Sequence, residues 1–208
     1  MDAASLLHAE VARFKGWAAE IPIATRSGEW ECDYSDWKRL WAAAKLLIET
    51  VPVAMWTKAM TEDFLYALAR DNEVEVIADE FEQRSEALLE LAARAIDSVE
   101  TDAKWQIAVK LGELSEHIQR AEALLIHLVQ DVDEYVSRRA LLALGKLKSV
   151  MTERFAERAW QTGHEYQRIA ALWALKYQGS SKLGEYLLQA EEDGREYVVR
   201  NATEIRAV

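Results

Sequence analysis

Three copies of a Glu-Tyr dipeptide, Glu134-Tyr135, Glu165-Tyr166 and Glu196-Tyr197, recur at intervals of 31 residues, and an alanine stands six residues after each Glu, at Ala140, Ala171 and Ala202. The first two copies extend further, with Ala140-Leu141-Leu142-Ala143-Leu144 aligning on Ala171-Leu172-Trp173-Ala174-Leu175. Leu111-Gly112-Glu113-Leu114 matches Leu144-Gly145-Lys146-Leu147 at an interval of 33, and Glu86-Ala87-Leu88-Leu89 matches Glu122-Ala123-Leu124-Leu125 at 36. A period of 31 to 36 residues holds two helices and their turns, and neither helix can bury its apolar face alone. Neighbouring copies therefore have to stack. Two prolines, Pro22 and Pro52, and eight glycines leave few enforced breaks, which fits helices on short connections. Valine and isoleucine are scattered and do not alternate with polar residues, so the expected class is all-α.

The best single copy, Asp131-Val132-Asp133-Glu134-Tyr135-Val136-Ser137-Arg138-Arg139-Ala140-Leu141-Leu142-Ala143-Leu144-Gly145, has an acidic turn, a Val-x-Arg-Arg-Ala opening and an Ala-Leu-Gly close. In these features the chain resembles the HEAT-repeat family, with the similarity strongest over about residues 100–208. The resemblance implies a right-handed solenoid of antiparallel helical pairs, and within the family it points toward bacterial members of the toxin-immunity type. Residues 1–208 are expected to form one helical-repeat domain, with capping helices over 1–70 and HEAT-like repeats over 71–208. Leu6, Leu7, Val11, Phe14 and Ala18 make an apolar stripe on a helix over residues 2–19. Residues 21–35 are irregular, Ser35 is the expected cap of a helix over 36–50, and Pro52 separates a third helix reaching about residue 70.

Several chemistries lack their residues. The lone cysteine, Cys32, lies between Glu31 and Asp33, which oppose thiolate formation. The four histidines, His8, His117, His127 and His164, form no His-Glu-x-x-His motif, so no metal site is expected. His164-Glu165 matches one element of the pairs that hold di-iron in HEAT-repeat deoxyhypusine hydroxylases, which need several; by spacing it reads as a helix start. No phosphate-binding glycine loop and no Gly-x-Ser-x-Gly elbow occurs, so neither a catalytic residue nor a cofactor is assigned. No apolar run approaches the roughly 20 residues of a membrane span. The first residues do not read as a secretory signal, and the expected location is the cytoplasm.

Charge is unevenly spread. Residues 1–100 hold ten Lys or Arg and twenty Asp or Glu, whereas residues 101–208 hold fifteen and sixteen. The acidic half argues against nucleic acid and for a basic protein partner. Glu75, Asp79, Glu82, Glu86 and Glu90 would form one negative ridge on an unbroken helix, which Ser85 would split by capping a new one. A second acidic segment, Glu29-Trp30-Glu31-Cys32-Asp33-Tyr34-Ser35-Asp36-Trp37, interleaves carboxylates with large aromatics. There Trp30 and Trp37 suit an end cap, while Tyr34 and the carboxylates suit an exposed contact. Trp160, beside Gln161 and Gly163, suits a groove. The partner-binding set expected from sequence is therefore Glu29, Trp30, Glu31, Asp33, Tyr34, Asp36, Glu75, Asp79, Glu82, Glu86 and Trp160. The function expected is a non-catalytic inhibitor, a monomer that binds a basic toxin such as a nuclease in a heterocomplex. An enzyme resembling the HEAT-repeat bilin lyases or DNA glycosylases, and a general scaffold, stand as alternatives.

Overall fold

The computed structural model describes residues 2–26 and 30–207. Its helices are α1 (Ala3–Glu20), α2 (Trp37–Thr50), α3 (Lys58–Arg70), α4 (Val76–Asp79), α5 (Ser85–Ala95), α6 (Thr101–Leu111), α7 (Ile118–Leu128), α8 (Glu134–Lys146), α9 (Thr152–Gln161), α10 (Glu165–Gln178), α11 (Leu183–Asp193) and α12 (Glu196–Ala207). No strand occurs among the described residues, so the all-α class holds. The chain divides into two compact units, residues 1–107 and 108–208.

In the second unit the sequence period reappears as a period of bonds. The residue two before each cap position folds back onto the backbone at equivalent places. Asp131 accepts the amide of Asp133 at 2.9 Å, Thr162 Oγ1 that of His164 at 3.1 Å and Asp193 that of Arg195 at 3.3 Å. These residues start α8, α10 and α12 by giving the orphan N-terminal amides side-chain acceptors. Ser149 and Ser180 repeat the device, accepting the amides of Met151 and Lys182 at 3.0 and 3.1 Å. Both also donate to a glutamate one repeat earlier, Ser149 to Glu122 of α7 and Ser180 to Glu153 of α9. α10 and α11 end on Gly179 and Gly194, whose φ of +79° and +72° suits only glycine without strain.

α8 packs on α10 and α10 on α12, while α7, α9 and α11 each pair with the helix that follows them. Short connections make these pairs antiparallel, as the repeat predicts. The repeated apolar positions meet in the core: Val136, Ala140 and Leu144 of α8, Ala171 and Leu175 of α10, and Val198, Ala202 and Ile205 of α12 are all buried. Alanine at these points lets helices approach, and Gly145 brings them closest. A Cβ added there would lie 2.6 Å from the Ala174 carbonyl oxygen and 2.8 Å from its Cα.

The first unit is assembled differently. α1 packs against α2 and α3, and Phe14 sits wholly buried among rings. α2 starts at Trp37, with Asp36 rather than Ser35 in the cap position and no side-chain cap bond. A short helical turn over Trp30–Asp33 occupies the approach, and the Trp37 indole N–H donates to the Glu31 carbonyl at 2.9 Å, which pins turn and helix together. α4 stops at Asp79 and α5 begins at Ser85, so the expected acidic ridge is split. At the junction of α2, α3 and α4, Asp71 is 1% exposed and accepts the Trp41 indole N–H at 2.9 Å and the Ile77 amide at 2.7 Å. Its burial, with the negative charges of Asp79 and Glu75 nearby, overcomes those two bonds and raises its pKa to about 6.

Candidate partner-binding surfaces

The acidic aromatic segment divides by depth. Glu29 lies outside the described residues. Trp30 is half-buried, stacked on Trp17 with centroids 5.5 Å apart and planes 9° from parallel, and the Arg26 guanidinium lies 4.4 Å from its ring. Tyr34, expected as an exposed contact, is 4% exposed, with its ring 4.7 Å from Phe14 and 5.0 Å from Trp17. The correction has a simple cause. The turn over Trp30–Asp33 folds back over the aromatic end of α1, and Tyr34 and Trp37 close the cluster that Phe14 requires. Glu31 is buried as well, and desolvation raises its pKa although Arg70 lies 4.0 Å away. Asp33 is exposed and Asp36 half-buried, so this segment offers a partner single carboxylates and the edge of Trp30.

The second acidic stretch is more accessible. Asp79, Glu82 and Glu86 are exposed, and Glu75 is half-buried at a left-handed φ of +54° before α4. Asp79, Glu80 and Glu82 line a shallow depression of about 290 Å³ with Gln83 and Arg84. Residues 71–100 carry ten carboxylates and two arginines. Both arginines are committed within the unit: Arg84 contacts Glu80 at 3.1 Å and Glu49 at 3.4 Å, while Arg94 donates to the carbonyls of Trp56 and Ala54, both at 3.0 Å. Lys45 reaches Glu80 at 2.7 Å from α2. Over residues 1–107 eleven basic residues face twenty-one acidic ones, a net of −10. A groove of about 740 Å³ in the same unit, lined by Lys15, Lys58, Glu62, Tyr66, Arg94 and Asp97 among others, is mixed in charge.

In the second unit Trp160 is also buried, at 8% exposed, its ring edge-on to Tyr186 at 5.2 Å and capped by the Arg168 guanidinium at 5.0 Å. Arg168 is held by Asp193, whose pKa is depressed chiefly by the Arg195 guanidinium and then by Arg168. Trp160 thus packs into the repeat instead of a groove. His164 takes the cap position of α10, as its place at a helix start predicts.

The feature that sequence reading passed over is the Glu-Tyr repeat itself, read there only as a marker of register. Tyr166 and Tyr197 are 48% and 44% exposed, and Tyr135 is half-buried. The Arg138 guanidinium sits 4.6 Å from the Tyr135 ring and 5.0 Å from that of Tyr166, and Arg200 sits 4.8 Å from Tyr197. Exposure at a position where a buried aromatic would also keep the period is the signal that distinguishes surface from core, and a sequence does not carry it.

No group of His, Cys, Asp and Glu among the described residues is arranged to hold a metal ion, and none of the described helices is long and apolar enough to cross a membrane. No curated protein and no solved structure matches the chain. Residues 121–205 match the family model of HEAT repeats. That span takes in α8 to α11 and most of α7 and α12, the helices whose caps and core recur with the sequence period, so the second unit of this all-α chain is an array of HEAT-like repeats.

Proposed function

We propose that the protein is a non-catalytic protein-binding module that recognises a basic partner through the acidic surface of its first unit, in the manner of an inhibitor covering a cationic toxin domain such as a nuclease. The observation that carries this reading is the excess of carboxylates over residues 71–100, exposed at Asp79, Glu82 and Glu86, the first two lining a shallow depression. Such a surface speeds encounter with a cationic protein, and the shallow relief suits a protein face better than a small molecule. Helical-repeat scaffolds offer extended surfaces of this kind.

The test is capture from the source cells on the immobilised whole chain, followed by association kinetics with the identified protein. A basic partner is expected, with an on-rate that falls at least about tenfold as salt rises from about 0.01 to 0.15 M. The variant Glu73→Gln/Asp79→Asn/Glu82→Gln/Glu86→Gln should slow association at low salt. An acidic partner, or an on-rate indifferent to salt and to the variant, overturns the reading.

A further inference from the structure

In the second unit α8, α10 and α12 run parallel and in step. Near the start of α10 the Gln167 Nε2 donates to Ser137 Oγ of α8 at 2.9 Å, and at its end the Gln178 Nε2 donates to the Ser149 carbonyl just beyond α8 at 2.9 Å. Between them the Trp173 indole N–H donates to Asn201 Oδ1 of α12 at 2.8 Å. Along the outer side of α10 runs an aromatic stripe: Tyr166, Ile169, Trp173 and Tyr177 follow at spacings of three and four and fall within one narrow arc of the helix. The tyrosines at its ends are 48% and 40% exposed, and Ile169 and Trp173 between them are half-buried. Each of the three helices opens on a glutamate, Glu134, Glu165 and Glu196, and carries a cation in its last turn, Lys146, Lys176 and Arg206. The layer therefore has an acidic edge and a basic edge, and the stripe crosses from one to the other. Lys146 and Arg206 also touch Glu113 and Glu191 within the unit, whereas Arg200 and Glu204, both exposed on α12, make no ion pair among the described residues.

We infer that this face pairs with a second copy of the same chain, α10 lying antiparallel on α10 about a two-fold axis. The stripe is nearly a palindrome. Reversed, it sets Tyr166 against Tyr177 of the second copy and Ile169 against its Trp173, so apolar and aromatic groups meet along the whole contact. The same rotation brings Arg200 of each copy opposite Glu204 of the other, which makes two ion pairs from one pair of residues. It also lays the acidic edge of each copy on the basic edge of the other and opposes the helix dipoles, whereas a parallel pairing would join like edges. Helices of 13, 14 and 12 residues are about 18–21 Å long, and three of them at roughly 8–10 Å cover about 500 Å² in projection. Side-chain relief raises the accessible area above the projected one, into the range of the roughly 800 Å² per partner of a specific pair. Residues 108–208 carry a net charge of only −1, so two such units repel little. This surface belongs to the second unit and its assignment does not depend on the acidic surface of the first.

Sedimentation equilibrium of the whole chain from about 1 to 100 µM in about 0.15 M salt decides between a pair and the monomer expected from sequence. The weight-average mass should climb from 23.7 kDa toward twice that value. Tyr166→Ala, which a two-fold axis places in the interface twice, should weaken pairing at least about tenfold. Arg200→Glu and Glu204→Arg should each weaken it by setting like charges opposite each other, and Arg200→Glu/Glu204→Arg together should restore it. All three residues are exposed, so circular dichroism should show every variant folded as the parent is. Leu188→Ala, at an exposed site on α11, should leave the mass unchanged, as should Glu73→Gln/Asp79→Asn/Glu82→Gln/Glu86→Gln in the first unit. A chain that stays monomeric up to about 100 µM leaves the face to a different protein and overturns the inference. So does a pair that survives Tyr166→Ala, a double charge reversal no better than the single ones, or a mass that falls with Leu188→Ala or with the first-unit variant.

Discussion

Asp71 is a carboxylate in a place that favours neither of its forms fully. Two N–H donors at 2.7 and 2.9 Å reward the ionised group, and nearly complete burial beside Asp79 and Glu75 penalises it. Burial wins, and the pKa rises from 3.8 to about 6. The native state thus keeps a proton that the unfolded chain has released. Stability from this group is fully present below the unfolded pKa and is lost as pH rises through the folded one. The protein should therefore become less stable relative to Asp71→Asn as pH goes from about 4 to about 6, by roughly 3 kcal/mol in all, and the difference should stay level above that. Urea midpoints of the two proteins across this pH range give the difference directly. A constant gap would mean that the two N–H bonds outweigh burial. Glu10 shows the opposite balance: at 3% exposed it is held ionised by the Arg39 guanidinium, 2.7 Å away, and its pKa is lowered.

Between elements, contact depends on which residue lacks a side chain. Gly145 is at a helix crossing where any Cβ strikes the Ala174 backbone, and a backbone inside α10 cannot turn aside as a long side chain can. Gly145→Ala gains about 1 kcal/mol of helix propensity but overpacks at a cost of about 1–3, so a net loss of stability is expected. Gly16, exposed in the interior of α1 with nothing within 4 Å of a Cβ, has only the gain, and Gly16→Ala should raise stability by about 0.5–1 kcal/mol. Chemical denaturation of both variants checks the pair. Opposite signs support the packing argument, and equal signs refute it. The same crossing shows what the sequence made legible. The Leu-Gly-x-Leu recurrence fixed the register in which Gly145 and Gly112 are equivalent, the 31-residue period placed the paired helices of the second unit, and the break before α5 was anticipated at Ser85, although Arg84 takes the cap position there and makes no side-chain cap bond. The first unit was harder to read because its turn over Trp30–Asp33 is set by where Phe14 and Trp17 find cover, a contact between distant segments. Tyr34 and Trp160 were misplaced for a related reason: an aromatic beside polar neighbours in the chain can still point inward.

Across the whole chain the net charge is −11, and residues 1–107 hold −10 of it against −1 for residues 108–208. Like charges gathered in one compact unit repel, and such repulsion destabilises the folded state while favouring encounter with a cation. The two effects pull the same residues in opposite directions, so one variant can separate them. Raising salt from about 0.01 to 0.15 M shortens the screening length from about 30 to about 8 Å and should raise the unfolding midpoint of the parent protein. The variant Glu73→Gln/Asp79→Asn/Glu82→Gln/Glu86→Gln takes the first unit from −10 to −6. Repulsive energy scales with the square of the charge, so the salt response should shrink to roughly a third, and the variant should start out more stable at low salt. On the proposed function, this surface would lower stability and speed association with a basic partner together. Denaturation at the two salt concentrations reads the first quantity and partner kinetics the second. A variant no more stable than the parent at low salt would show that local pairing already compensates these carboxylates, and the surface would then hold no repulsion for a partner to relieve.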